Sequence, residues 1–318
     1  MKDYKEIAKE ARKKVLELVY KAQTSHIGSN MSCVDILTVL FEKVDTEKDE
    51  VVLSAGWKAA SWYYFLFRKG IISEEELNSF CQPGSPFIGL VEPQECTICR
   101  RCSEGVLDCK GITCGCNVRL NIKFCKRCNG SGKRWGLKCA GGSMGLSLPS
   151  AVGLALAKKL KGEEGKVYVL LSDGECQIGT FYESLLIAKQ HNLSNLIVLI
   201  DNNKFCAMGR TKDILDIEPL EHKIVSFGWN VVKVNGHNFN QIAKEGLNFH
   251  EWIQKGNLMP RNAWIASSDR SETKNYPLCI LANTIKGKGI SWMENNNDWH
   301  YRNIDKESYE LATKELGQ

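Results

Sequence analysis

The sequence predicts an α/β protein: an open, mostly parallel sheet with helices on both faces, interrupted by a small irregular segment stapled by metal. Three observations carry this expectation. The runs VYVLLS (167–172) and LIVLID (196–201) are apolar almost throughout, as strands covered on both faces are, and one helix-length segment separates them, which makes a βαβ unit. Two further runs, VVKV (231–234) and CILANT (279–284), extend the same sheet. Between residues 95 and 139 stand nine of the chain's 14 cysteines, a clustering that points to metal rather than to disulfides spread along the chain.

Taken in order, residues 3–21 place Ile7, Ala11, Val15, Leu18 and Val19 at helical spacing, and 34–41 repeat the pattern after the loop TSHIGSNMS. VVLS (51–54) reads as a short strand ending in Ala55-Gly56, followed by an aromatic helix through Phe67. SEEEL then offers a serine cap and an acidic first turn. The turn residues Gln82-Pro83-Gly84-Ser85-Pro86 close that stretch. After the cysteines the chain resumes at Gly141 with a Gly-rich loop and a small-residue helix (149–160). The helix of the βαβ unit covers about 180–191, and the polar stretch 255–276 reads as a surface loop. One domain is therefore expected from 1–94 and 140–318, with 95–139 inserted into it.

The net charge of +5 is local. Residues 95–139 hold ten Lys/Arg against three Asp/Glu, so the remainder is slightly acidic. A near-neutral body with one basic insertion does not describe a protein that coats nucleic acid. The charged, amphipathic N-terminus is unlike a signal peptide, and no apolar run approaches the roughly 18 residues that span a bilayer. A cytoplasmic protein without a membrane segment is expected.

In an open parallel sheet, ligands bind at the carboxyl ends of strands. Asp173-Gly174-Glu175 follows the run 167–172, and Asp201-Asn202-Asn203 ends the run 196–201. If the two strands are neighbours, Asp173 and Asn203 project from one rim and a single hard cation bridges them. A carboxylate, an amide oxygen and a backbone carbonyl then leave positions for phosphate oxygens, the usual way magnesium holds a diphosphate. The same residues are also ordinary turn chemistry, and only their combination with other motifs separates the two readings.

Asp173-Gly174, followed 27 residues later by the pair Asn202-Asn203, resembles the thiamine-diphosphate fingerprint, and further blocks are similar to the first half of transketolases. These are SHIGSNMSCVDILTVLF (25–41), VVLSAGWKAAS (51–61), GGSMGLSLPSAVGLALA (141–157), SDGECQIGTFYES (172–184), IDNNKFCAMG (200–209), FGWNVVKVNGHN (227–238) and IKGKGISWMENNNDWH (285–300). The resemblance implies Mg²⁺ ligation by Asp173, the Asn203 side chain and the Phe205 carbonyl. It implies diphosphate contacts from Gly174, Asn203 and Lys286, with Glu175 beside them, and a loop of Gly142, Ser143 and Met144 against the cofactor. His26 and Ser29 would line the substrate channel beside Trp57, and His300 would reach substrate and cofactor, both histidines suited to proton transfer or hydroxyl binding. His237 reads as a turn residue. None of these blocks resembles the family's pyrimidine-binding domain with its glutamate, which is therefore expected on another chain. The resemblance therefore implies the N-terminal subunit of a split transketolase, transferring two-carbon ketol units between sugars, with a C-terminal partner in an α2β2 assembly.

Cys96, Cys99, Cys102, Cys109, Cys114, Cys116, Cys125, Cys128 and Cys139 include Cys-x2-Cys knuckles of tetrahedral zinc type, and CKRCNGSG resembles the zinc repeats of DnaJ-type chaperones. Zn²⁺ is expected, with the pairing open and an iron–sulfur cluster on Cys96, Cys99 and Cys102 as the competing metal. Two departures from the family stand out. Trp57-Lys58 replaces a usual histidine motif, and Phe87-Ile88-Gly89-Leu90 stands where Gly-His-Pro is usual, so non-standard substrates are expected. The rival functions are the α subunit of a 2-oxo acid dehydrogenase or decarboxylase, against which the 286–300 block argues, and a zinc module binding nucleic acid through Arg100, Arg101, Lys123, Lys126, Arg127, Lys133 and Arg134.

Overall fold

A computed structural model describes residues 3–94 and 133–317, apart from 256, 258 and 268. Strands β1 (Glu50–Leu53), β2 (Val167–Ser172), β3 (Leu196–Asn202), β4 (Asn230–Asn235), β5 (Ala263–Trp264) and β6 (Leu278–Asn283) form one sheet in the order β1-β2-β3-β6-β4-β5. Every neighbouring pair is parallel except β4 and β5. Val167, Val169 and Leu171 face one core together with Leu196, Val198 and Ile200; Tyr168, Leu170, Ile197 and Leu199 face the other. Both faces are thus buried, which is why these runs carry no polar alternation.

The larger core lies under α1 (Tyr4–Ala22), α2 (Ile27–Ser32), α3 (Val34–Lys43) and α4 (Ala59–Arg68). Asp3 caps α1 by accepting from the Lys5 and Glu6 amides, and α5 (Glu74–Asn78) opens with a complete Ser73/Glu76 capping box. The second core lies under α6 (Ser147–Lys161), which ends at left-handed Gly162, and α7 (Gly179–Gln190). No helix among the described residues is long and apolar enough to cross a membrane.

Three features differ from the sequence expectation. The loop around Ser25–Ser32 contains a six-residue helix, α2, with every residue buried. Its apolar residues, Ile27 and Met31, are too few to show a period, so packing rather than propensity makes it helical. The stretch 255–276 is not all loop, because β5 pairs two residues with β4 and a 3₁₀ turn covers Arg270–Asn275. Residues 133–139, read as part of the insertion because Cys139 is the last cysteine, belong to the body. Trp135 and Leu137 are fully buried in the larger core, and the Trp135 indole donates to the Asp49 carbonyl at 2.7 Å.

The segments flanking the insertion are zipped together. The Leu137 carbonyl accepts from the Gln94 amide (2.9 Å), the Gln94 carbonyl from Arg134 (2.8 Å), and the Val91 carbonyl from Gly141 (2.7 Å). Gly56 and Gly141 meet backbone to backbone; a Cβ on Gly56 would lie 2.0 Å from the Gly141 carbonyl oxygen. This contact seats the 141–146 loop on the carboxyl end of β1.

One buried charge cluster ties the helical layer to the sheet. Arg12 makes a two-pronged bond to Asp35 (3.0 and 2.7 Å), and Arg12 Nε donates to the Lys288 carbonyl at 3.0 Å. His237, beyond β4, places Nδ1 2.7 Å from Asp35 while its Nε2 accepts from the Ile285 amide, so Nδ1 bears the proton. Burial alone would raise the Asp35 pKa, but His237 and Arg12 outweigh it and hold the group below its ordinary value. The stabilisation from this shift is complete above the unfolded value of about 3.9 and is lost as the pH falls through the lower folded value. Asp35→Asn, which leaves Arg12 buried without its counter-charge, is expected to cost about 3–5 kcal/mol in urea unfolding at pH 7 and to remove that acid-side slope. Wild-type stability of the variant at pH 7 would contradict this role.

Candidate functional site

The parallel register aligns Ser172 with Asp201 and Asn202 with Asn283, so the ends of β2, β3 and β6 share one rim. Asp173 is fully buried there. Its Oδ1 accepts from the Gly174 amide (3.0 Å) and the Ser172 hydroxyl (3.2 Å), and its Oδ2 accepts from the Lys204 amide (2.7 Å). Burial pushes its pKa up to about 7 and the charge of Asp201 adds to the rise, against the Lys204 amide and the Lys58 ammonium. Such a carboxylate is short of positive charge. Asn203, on the neighbouring strand end, accepts at Oδ1 from the Phe205 amide (3.0 Å). The carboxylate, the amide oxygen and peptide carbonyls of this turn are hard oxygen donors of the kind Mg²⁺ takes. Among the described residues no set of three His, Cys, Asp or Glu side chains gathers at metal-binding spacing. A cation on the rim would therefore lean on amide and backbone oxygens beside Asp173. A Cβ at Gly174 would meet nothing nearer than Cys206 Cβ at 3.4 Å, so the chain's own packing does not demand glycine there.

The opposite wall comes from α2 and the segment after β6. Lys286 is buried, and its ammonium donates to Asn297 Oδ1 (2.6 Å) and His300 Nδ1 (2.7 Å), 5.6 Å from the centre of the Phe205 ring. Burial and then Lys58 pull its pKa down to about 8. His26, in left-handed backbone (φ 72°) ahead of α2, stands edge-on to His300 with ring centres 4.8 Å apart, and its amide donates to the His300 carbonyl (2.9 Å). Burial, Lys286 and Lys58 lower His26 to about 4; burial, Lys286 and His26 lower His300 to about 3. Both rings are neutral at pH 7 in this state, the form in which an imidazole offers one nitrogen as donor and the other as acceptor.

The remaining expected residues fall in different places. Glu175 has both carboxylate oxygens engaged, by the Ser54 hydroxyl (2.5 Å) and the Ser172 amide (2.9 Å), so it braces β1 against β2 instead of offering a free oxygen to a ligand. Burial lifts its pKa to about 7. Ser29 is buried, and its carbonyl accepts from Lys58 and Ser32. Trp57 is half-buried against the larger core, its carbonyl held by the Asn30 amide group at 3.1 Å. Ser143 and Met144 are exposed at the tip of the loop seated by Gly141, with Gly142 half-buried. Cys96, Cys99, Cys102, Cys109, Cys114, Cys116, Cys125 and Cys128 lie outside the described residues, while Cys139 is half-buried beside the second core.

Sequence reasoning missed Asp201 and Lys58, the most deeply buried ion pair of the rim. Asp201 Oδ2 accepts from Lys58 Nζ and the Ser32 hydroxyl, each at 2.5 Å, and Oδ1 accepts from the Thr284 hydroxyl. Burial opposes both charges, but each is held ionised by the other: the Lys58 pKa is raised and that of Asp201 lowered. A carboxylate ending an apolar run and a lysine in the short turn Gly56–Lys58 were the signals available.

Several named proteins are similar to this chain along nearly its whole length. The chain is 28% identical over 316 residues to one subunit of the apulose-4-phosphate transketolase of Phocaeicola vulgatus, covering 96% of this chain and 91% of that protein. It is 30% identical over 319 residues to the corresponding subunit from Actinobacillus succinogenes, covering 97% and 94%. It is 28% identical over 314 residues to the 6-deoxy-6-sulfo-D-fructose transketolase subunit SqwG of a Clostridium species, covering 96% and 93%. Among solved structures, the transketolase of Leishmania mexicana superposes with a TM-score of 0.74 at 21% identity, over 100% of this chain and 42% of that one. At that identity the likeness speaks to the fold, and this chain spans about two fifths of the solved enzyme's length. Residues 127–318 match the family described as "Transketolase, thiamine diphosphate binding domain". The rim of Asp173 and Asn203 faced by Lys286 and the paired histidines therefore stands in a chain that belongs to the thiamine-diphosphate-binding domain family of transketolases.

Proposed function

We propose that this chain is the diphosphate- and metal-binding subunit of a two-chain transketolase acting on donors or acceptors other than the common sugar phosphates. The observation that carries this reading is the buried, cation-poor Asp173 beside Asn203, with the Lys286 ammonium on the facing wall. Thiamine diphosphate, when bound, supplies the electron sink that two-carbon transfer needs. Asp173, Asn203 and the Phe205 carbonyl would hold Mg²⁺, while the Gly174 backbone and Lys286 would hold the diphosphate. Neutral His26 and His300 would bind substrate hydroxyls, and Gly142, Ser143 and Met144 would cover the cofactor.

The pyrimidine half of the site, with its glutamate, would come from a C-terminal partner in an α2β2 assembly in the cytoplasm. Relatives that are named as single subunits of their enzymes, and are matched over more than nine-tenths of their length, support that division. Those relatives are transketolases, which favours this reading over a 2-oxo acid dehydrogenase subunit. Their named substrates, apulose 4-phosphate and 6-deoxy-6-sulfo-D-fructose, are unusual sugars, as the Trp57 exchange leads one to expect. An indole offers one N–H and no acceptor, so a donor-site hydroxyl left without its partner costs about 1–3 kcal/mol. For the insertion we propose zinc bound by Cys96, Cys99, Cys102, Cys109, Cys114, Cys116, Cys125 and Cys128, with the pairing open and Cys139 as a further candidate.

In the reconstituted complex, xylulose 5-phosphate with ribose 5-phosphate should turn over well below the usual enzyme range of about 10⁴–10⁸ M⁻¹s⁻¹ in kcat/KM, and a less hydroxylated or modified sugar phosphate should do better. A value within that range for the common pair would make this an ordinary transketolase. Elemental analysis of anaerobically purified protein should find about two zinc ions per chain; iron with visible absorbance, or no metal at all, would contradict the zinc assignment.

A further inference from the structure

Lys58 is an expensive residue to place where it is. Its ammonium is fully buried, and taking such a charge out of water costs several kcal/mol unless a counter-charge and good hydrogen bonds meet it. Its position in the turn Gly56–Lys58 directly after β1 lets the side chain run beneath α2 to the end of β3. There Nζ meets Asp201 Oδ2 at 2.5 Å and the Ser29 carbonyl at 3.1 Å. The Asp201 carboxylate is the meeting point of four donors: Lys58, Ser32, Thr284 and, more distantly, the Asn203 amide at 3.4 Å. Asn203 is itself on the rim opposite Lys286, so the pair lies directly behind the atoms that would receive a phosphate.

The charge on this rim decides what it can hold. Asp173 and Asp201 are both buried, at the ends of two adjacent strands. A diphosphate remains anionic even with one Mg²⁺ bound. Without Lys58 the rim would set Asp173 and Asp201, beside the hydrogen-bonded Glu175, against the single ammonium of Lys286 and would repel such a ligand. With Lys58, Asp201 is cancelled in place and Asp173 alone is left for the cation.

We propose that Lys58 is a positioning residue of the cofactor site: paired with Asp201, it neutralises the rim behind Asn203 so that the cradle accepts an anionic diphosphate. This rests on the reading of the rim as a diphosphate site and adds a residue to which neither the family fingerprint nor the relatives' names give a role.

The test is isothermal titration of inorganic diphosphate with Mg²⁺ into the complex reconstituted with the C-terminal partner, with the melting temperature of each variant recorded. Lys58→Met keeps the length of the stem and removes the charge, leaving Asp201 unpaired; diphosphate affinity should fall by about tenfold or more. The double variant Lys58→Met with Asp201→Asn removes both charges and should bind within about threefold of the wild type, because charge balance is restored. A strut that merely ties α2 to β3 would behave otherwise, since the double variant lacks the strut as fully as the single one and would bind no better. Should Lys58→Met alone not fold, the double variant decides, and its failure to approach wild-type affinity overturns the proposal. Wild-type affinity in a folded Lys58→Met chain overturns it as well. A wild-type complex that takes no diphosphate with Mg²⁺ instead overturns the reading of the rim itself, and the proposal with it.

Discussion

Parallel strands deliver their carboxyl ends to one rim, and in this chain that rim holds Asp173, Glu175 and Asp201 away from solvent. Three carboxylates in so small a dry volume cannot all keep a bare charge, and the surrounding structure answers each differently. Glu175 is engaged by Ser54 and Ser172 and lifted towards neutrality. Asp201 is matched by Lys58 and two hydroxyls. Asp173 has backbone amides and the Ser172 hydroxyl but no cation of its own. The geometry of the turn after β3, the placing of α2 over the rim and the run of the chain after β6 all follow from satisfying these groups. The third carboxylate is the one left available for chemistry.

The facing wall obeys the same electrostatics with the opposite sign. Lys286 bonds His300 Nδ1, and burial, with the Lys286 and Lys58 ammonium groups adding to it, keeps His26 and His300 from taking up protons. The result is a cleft with an acidic oxygen-donor floor and a wall that combines one ammonium with two neutral imidazoles. A metal-bridged anion on the floor and hydroxyl groups against the wall suit such a surface. Met144, Leu146 and Met208 stand exposed.

How much of this was legible depended on the range of the interaction. Strands β2, β3 and β6 were readable because burial on both faces writes itself as a nearly uninterrupted apolar run, and β4 because its valines flank only Lys233. Asp173 and Asn203 were readable because they follow those runs directly. What escaped was long-range or non-periodic. Helix α2 has two apolar side chains in six residues, so no pattern announces it. The Lys58–Asp201 pair joins residues 143 positions apart, and the brace from Ser54 to Glu175 spans 121. Cysteine spacing puts the end of the insertion at Cys139, whereas Trp135 and Leu137, by burying apolar surface, fix where the core resumes.

The central claim is that this chain carries the diphosphate half of a cofactor site that another chain completes. Calorimetric titration of thiamine diphosphate with Mg²⁺, into the chain alone and into the chain mixed with its C-terminal partner, tests it most directly. Weak or undetectable heat from the chain alone, tight binding with the partner, and loss of that binding in a folded Asp173→Ala chain would agree with the account. Tight binding together with full ketol-transfer activity by the chain alone would contradict it.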